Sequence, residues 1–128
     1  MSTASPNSRG GGDFDFYEIH EAFAAQVLCT LKAWGDPVYC RERLGLEGPL
    51  GHVDVDKLNT HGGSLAAGHP FGATGGRIVA TLAKTLKEFD PATRPRRLAA
   101  HPHRPGRGLI SICAAGGLGV TAIVEAAA

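Results

Sequence analysis

The chain has 128 residues, of which 43% are hydrophobic and 20% charged, with a formal net charge of +1. That length suits one small domain with a core of its own, and the composition is globular rather than disordered. The near-neutral charge offers no broad electrostatic surface to nucleic acid or membrane, and the longest apolar run is far too short to span a bilayer.

Residues 1–12 are rich in Ser, Gly and Asn and are expected to be disordered. They lack the apolar segment of a signal peptide, and Cys29, Cys40 and Cys113 make no disulfide framework, so a soluble, cytoplasmic setting is expected. DFDFYEI (13–19) puts Phe14 and Phe16 on one face and Tyr17 and Ile19 on the other, which predicts a short strand. Residues 20–34 switch to helical spacing, with Phe23, Val27, Leu31 and Trp34 along one face and Leu28 widening it; Gly35 and Pro37 end this helix. Residues 38–57 show no clear period and read as an excursion with a single helical turn, leaving Cys40 in a loop. A second helix is predicted over 72–89, where Ile78, Leu82, Leu86 and Phe89 repeat at helical spacing beside Val79 and Ala83. Residues 90–107 hold five arginines and four prolines without apolar period and read as a solvated loop. GLISICA (108–114) and VTAIVE (120–125) read as strands of a hairpin joined through a glycine-rich connection. Strand, helix, loop, helix, hairpin is a mixed α/β layer, here one domain over 13–128.

Three places set a reactive side chain against backbone that is free to approach something. His69 lies between Gly68 and Pro70, among glycines at 62, 63, 72, 75 and 76, just before the second helix. The missing side chains permit tight turns and close approach, and Pro70 favours extended backbone before it. A neutral imidazole at the start of a helix can take a proton from a thiol or donate to a developing oxyanion. A histidine that caps the helix or is bonded in the core accounts for the same spacing equally well. Cys113 sits where an apolar strand meets a turn, and the free N–H groups of that turn could hold an oxyanion. Taken alone, it reads more readily as an inert small hydrophobe. His20, next to Glu21 at a strand-to-helix junction, also reads as a cap residue. His52, His61, His101 and His103 lack paired ligand spacing, so no metal is expected, and no Gly-Lys-Ser/Thr makes a phosphate loop. The arginines of 94–107 have no interleaved aromatics, which argues against nucleic-acid binding.

Together, HEAFAAQ (20–26), NTHGGSLAAGHPFGATGGRIV (59–79) and CAAGGLG (113–119) resemble three sequence blocks of the C-terminal half of thiolases. These are the acyl-CoA C-acyltransferases that cleave or form 3-ketoacyl-CoA. Histidine rather than asparagine at position 20 is similar to the branch that includes the β-subunit of the fatty-acid oxidation complex. The resemblance implies one half of an αβαβα layered fold, with coenzyme A as substrate and no further cofactor. It implies that His69 activates a nucleophilic cysteine and helps bind the thioester oxygen. His20 would hold a water in that oxyanion hole, and Cys113 would protonate the departing enolate and later deprotonate CoA. The backbone at Ala115 and Gly116 would bind the acyl-enzyme oxyanion, and Gly68 and Phe71 would line the substrate. It also implies that the helices bury their apolar faces against a second half, and that the complete enzyme is a homo-oligomer.

The family's nucleophilic cysteine belongs to its N-terminal half, and neither Cys29 nor Cys40 has the small-residue block that accompanies it. Residues 90–107 are also longer than the turn expected there. The partner implied is therefore a polypeptide carrying the nucleophile. The alternatives are a non-catalytic thiolase-like binding or assembly module, or a degraded fragment.

Overall fold

The computed structural model describes residues 14–93 and 104–127, so the expectation of disorder over 1–12 lies outside the described residues. Strand β1 (Phe16–Ile19) is followed by helices α1 (Ala24–Gly35), α2 (Pro37–Leu44), α3 (Ser64–Ala67) and α4 (Thr74–Glu88), then strands β2 (Arg107–Ala114) and β3 (Leu118–Glu125). The strands form one sheet in the order β1-β2-β3. β1 runs parallel to β2, with Phe16 opposite Gly108 and Ile19 opposite Ser111, and β3 runs antiparallel to β2. The four helices lie in the crossover between the two parallel strands, as a parallel pair requires.

α4 carries the core. Its Ile78, Leu82 and Leu86 are buried with Ile110 of β2, and Phe16, Ile112, Val124 and Ala126 pack around them. The Phe16 and Phe89 rings meet edge-on, with centroids 5.2 Å apart. The apolar stripe on this helix was expected to face a second half, and instead it covers the domain's own sheet. Ile78, Leu82 and Leu86 recur every four residues as one row, and that row lies against the sheet and finds its burial locally.

α1 differs from expectation in the opposite direction. It begins at Ala24 rather than at residue 20, and Phe23, the residue before it, is 75% exposed. Val27 is its buried residue, while Leu28 is 65% exposed. Leu31 and Trp34 are half-buried, so the apolar side left open is that of Phe23 and Leu28.

α2 is the element that the sequence reading missed. Pro37 stops α1, but it also opens α2, where its fixed φ suits the first turn. The Asp36 carboxylate caps that turn, accepting from the N–H groups of Val38 at 2.8 Å and Tyr39 at 3.1 Å. Gly45 closes it in the left-handed conformation, φ 66°. Cys40 is therefore buried in a helix rather than placed in a loop, its thiol facing the carbonyls of Ala33 and Trp34.

Of the segment read as a solvated loop, 90–107, residues 94–103 lie outside the described residues, and the two described ends are engaged. Pro91–Thr93 form a 3-10 turn, and Arg107 already belongs to β2. Arg104 reaches the buried carboxylate of Asp15 at 3.2 Å, and Arg107 pairs with Glu125 across the hairpin. The hairpin runs on to Leu118, and its turn uses Gly116 and Gly117 at φ 82° and 74°, a region that residues with a Cβ rarely enter. β3 ends the sheet with Leu118, Val120 and Ile123 each 60% exposed or more.

Candidate active site

The site is assembled at the carboxyl ends of the two parallel strands, where open α/β sheets present ligands. His20 follows the last residue of β1. Its N–H continues the ladder by donating to the Ser111 carbonyl at 2.8 Å, and its side chain is buried. On the other side of β1, Asn59 completes the pairing with its side chain. Its carboxamide accepts from the Ile19 N–H at 2.9 Å and donates to the Ile19 carbonyl at 2.9 Å, while its own N–H donates to Tyr17 O. Asn59 does this at φ 48°, in the left-handed region that asparagine tolerates better than most residues.

Glu21 then latches the glycine loop onto this junction. One carboxylate oxygen accepts from Asn59 Nδ2 at 2.7 Å and the other from the Leu65 N–H at 3.0 Å. Gly63 lies so close beneath that a Cβ there would overlap the carboxylate. The glycine is thus needed for close approach rather than for a turn. The latch delivers the buried Ser64 hydroxyl to His20 Nδ1, 3.1 Å away.

His69 follows α3 and Gly68, on the exposed side of the site. Its Nδ1 is 2.7 Å from the hydroxyl of Thr74, the first residue of α4, and that hydroxyl donates to the Pro70 carbonyl at 3.3 Å. A hydroxyl has one hydrogen and a carbonyl only accepts, so Thr74 takes its other bond from His69 Nδ1–H. The lone pair of His69 is then on Nε2, free for a proton. The imidazoles of His20 and His69 lie against each other with centroids 4.4 Å apart, and the Phe71 ring, 90% exposed, is 5.0 Å from His69.

Cys113 is on β2 opposite Gly119, one residue before the strand ends, and half-buried. The first turn of α4 lies over its neighbour, with the Cβ direction of Gly75 3.9 Å from Ile112 Cδ1. The fold brings Cys113 to the same end of the sheet as the two histidines, and no hydrogen bond among the described residues ties it to either. Ala115 and Gly116 are exposed in the adjoining turn. Among the described residues no three His, Cys, Asp or Glu side chains gather where they could hold a metal ion, and His101 and His103 lie outside those residues.

Beneath the histidines, Glu18 is buried on the face of β1 turned to α4. Burial pushes its pKa up from 4.5 to about 7; Arg77 of α4 pulls it down and Glu21 pushes it further up. The pKa of His20 is lowered, first by burial and then by the positive charges of His69 and Arg77, against Glu21. The folded chain therefore holds Glu18 protonated where the unfolded chain has lost that proton, and stability drains as pH rises from 4.5 through about 7. His20 acts in the other sense, its share being lost as pH falls below 6.5. Comparing Glu18→Gln with the unmodified chain cancels His20. Relative to the unmodified chain, the variant is expected to gain on the order of 1–3 kcal/mol between pH 5 and pH 8. Urea unfolding at the two pH values measures this, and an equal difference at both would rule it out.

Of these residues, the sequence singled out His20, His69 and Cys113. It missed Asn59, Glu21, Ser64, Thr74 and Arg77 as parts of one network. All five stood inside the recognised blocks, but nothing in their spacing shows that they meet.

A family profile described as "Thiolase, C-terminal domain" matches residues 9–126. The chain is 46% identical over 113 residues to a 3-ketoacyl-CoA thiolase of Colwellia psychrerythraea, covering 88% of this chain and 23% of that protein. It is 44% identical over 114 residues to a probable 3-ketoacyl-CoA thiolase of Caenorhabditis elegans, covering 89% and 22%. Among solved structures, it resembles the peroxisomal 3-ketoacyl-CoA thiolase of Saccharomyces cerevisiae, a five-layered α-β-α-β-α structure of two core domains, with a TM-score of 0.58 at 34% identity. That match covers 92% of this chain and 24% of the yeast one. A human mitochondrial 3-ketoacyl-CoA thiolase solved with CoA gives a TM-score of 0.57 at 30% identity, over 93% and 22%. The chain spans less than a quarter of the length of these relatives. With the profile spanning nearly all of it, the chain belongs to the thiolase family, as a C-terminal domain.

Proposed function

We propose that the chain is the C-terminal catalytic portion of a thiolase, transferring acyl groups between acyl-CoA and CoA once a second polypeptide supplies the nucleophilic cysteine. The observation that carries this reading is the contact of His20 with His69 at the strand ends, with Cys113 at the end of the neighbouring parallel strand. In thiolysis, His69 Nε2 takes the proton of the nucleophilic thiol, and the thiolate adds to the 3-keto carbon. The bond between C2 and C3 breaks, and the Cys113 thiol protonates the enolate that leaves as acetyl-CoA. The Cys113 thiolate then deprotonates CoA, whose sulfur takes the acyl group from the enzyme thioester. His69 and a water held by His20 bind the thioester oxygen, and the N–H groups at Ala115 and Gly116 hold the oxyanion of the acyl-enzyme. Gly68 leaves room for the substrate, and the open Phe71 ring gives it an apolar wall.

Cys29 is exposed on α1 and Cys40 is buried in α2, so in this reading the nucleophile comes from beyond these 128 residues. The exposed apolar side chains of α1 and β3 are surfaces on which such a partner, or a second copy in a homo-oligomer, would rest. The domain extends over 13–128. No helix among the described residues is long and apolar enough to cross a membrane, and a cytoplasmic setting is part of the proposal. The purified chain alone is expected to show no thiolysis of acetoacetyl-CoA, and to gain it when joined to the nucleophile-bearing part of a 3-ketoacyl-CoA thiolase. Turnover by the chain alone, lost on Cys29→Ala or Cys40→Ala, would overturn this assignment.

A further inference from the structure

The two imidazoles in contact have different hydroxyl partners, and those partners differ in what they can donate. Ser64 Oγ is 3.1 Å from His20 Nδ1 and receives a long N–H contact, 3.5 Å, from a terminal nitrogen of Arg77. A guanidinium can only donate, so its side of the Ser64 oxygen must be an acceptor. The oxygen keeps one hydrogen and a second lone pair, and His20 Nδ1 lies within reach of either. The positive charge of Arg77 selects between them, since it draws the oxygen end of the hydroxyl dipole toward itself and turns the hydrogen away, toward His20 Nδ1. Arg77 Nε is buried and makes no hydrogen bond among the described residues, and the acidic group that faces Arg77 from β1 is Glu18.

We infer that Ser64, oriented by Arg77, is a positioning residue that holds His20 as the neutral imidazole with its proton on Nε2. Thr74 holds His69 in the opposite form, with the proton on Nδ1 and the lone pair on Nε2. One ring of the touching pair therefore presents a hydrogen-bond donor and the other an acceptor, and the assignment is written into two hydroxyls on neighbouring helices. Burial and the charge of Arg77 both keep His20 unprotonated, which maintains Nδ1 as an acceptor. This inference deepens the proposed acyl-transfer reading and rests on it for its purpose. His20 can donate through Nε2 to a substrate oxygen directly, where the resemblance alone implies that it holds a water.

The test reads the tautomer without turnover. The full chain is labelled with 15N-histidine, and the His20 signals are identified by their loss in His20→Gln. Long-range proton–nitrogen correlation near pH 7.5 separates protonated from lone-pair ring nitrogens. The unmodified chain should show Nε2 of His20 protonated and Nδ1 bare, and Ser64→Thr should preserve that pattern. Ser64→Ala should shift His20 toward the other tautomer or an average of the two. Protonated Nδ1 as the majority form in the unmodified chain would overturn the inference with no variant needed, as would a Ser64→Ala spectrum identical to the original. His20 in the expected form in a completed protein that shows no thiolysis would count against the acyl-transfer reading alone.

Discussion

In an enzyme completed by the nucleophile-bearing polypeptide, His69→Ala and Cys113→Ala are each expected to lower turnover by about two orders of magnitude or more. That is the usual scale for a lost acid–base group. The geometry makes these losses chemical rather than structural. His69 is exposed, so its removal leaves no large void, and its Nδ1 is already committed to Thr74, which leaves Nε2 as the working nitrogen. Cys113 is half-buried near a strand end, and its replacement by alanine removes one atom from a position that packs loosely. The double variant should lose less than the product of the two losses, because both residues serve one sequence of proton transfers. Steady-state thiolysis of acetoacetyl-CoA, with thermal unfolding to check integrity, measures all three variants. Near-normal turnover in either single variant would remove that residue from the mechanism.

Leu82→Ala is expected to cost about 2–5 kcal/mol of stability, toward the upper part of that range. Leu82 is 1% exposed at the centre of the α4 cluster, between Ile78, Leu86 and Ile110. Its terminal methyl groups sit over Gly108, where the sheet has no side chain that could relax into the vacated space. The same closeness makes Gly108→Ala an overpacking change, costing about 1–3 kcal/mol while Leu82 is present. The pair should therefore couple favourably, since an alanine at 108 partly fills the cavity left by an alanine at 82. Urea unfolding of the two single variants and the double variant decides this. A double variant as unstable as the sum of the singles would show that α4 and β2 do not meet as described.

The sequence carried the local facts of this domain, because local facts are set by residues a few positions apart. Helical spacing identified α4 and its apolar stripe, β-branched runs identified β2 and β3, and the paired glycines at 116 and 117 marked their turn. α2 was equally legible in Asp36, Pro37 and Gly45, a cap, a first-turn proline and a left-handed glycine. It has almost no apolar period to announce it. The reactive residues were legible too, through blocks whose spacing the chain shares with thiolases.

What only the tertiary structure decided is which faces meet. Periodicity says that a helix has an apolar side, not what covers it, and so α4 and α1 looked alike. The sheet opposite α4 buries Ile78, Leu82 and Leu86, whereas α1 keeps Leu28 largely open. The site follows the same rule. Ser64 and His20 are 44 residues apart in the chain, and Asn59 and Ile19 are 40 apart. Their hydrogen bonds exist only after β1 pairs with β2 and the glycine loop closes over Glu21. Composition and spacing supplied the imidazoles. The partners that choose which ring nitrogen carries the proton are hydroxyls of ordinary-looking Ser64 and Thr74, and no local signal distinguishes those from any solvated serine or threonine.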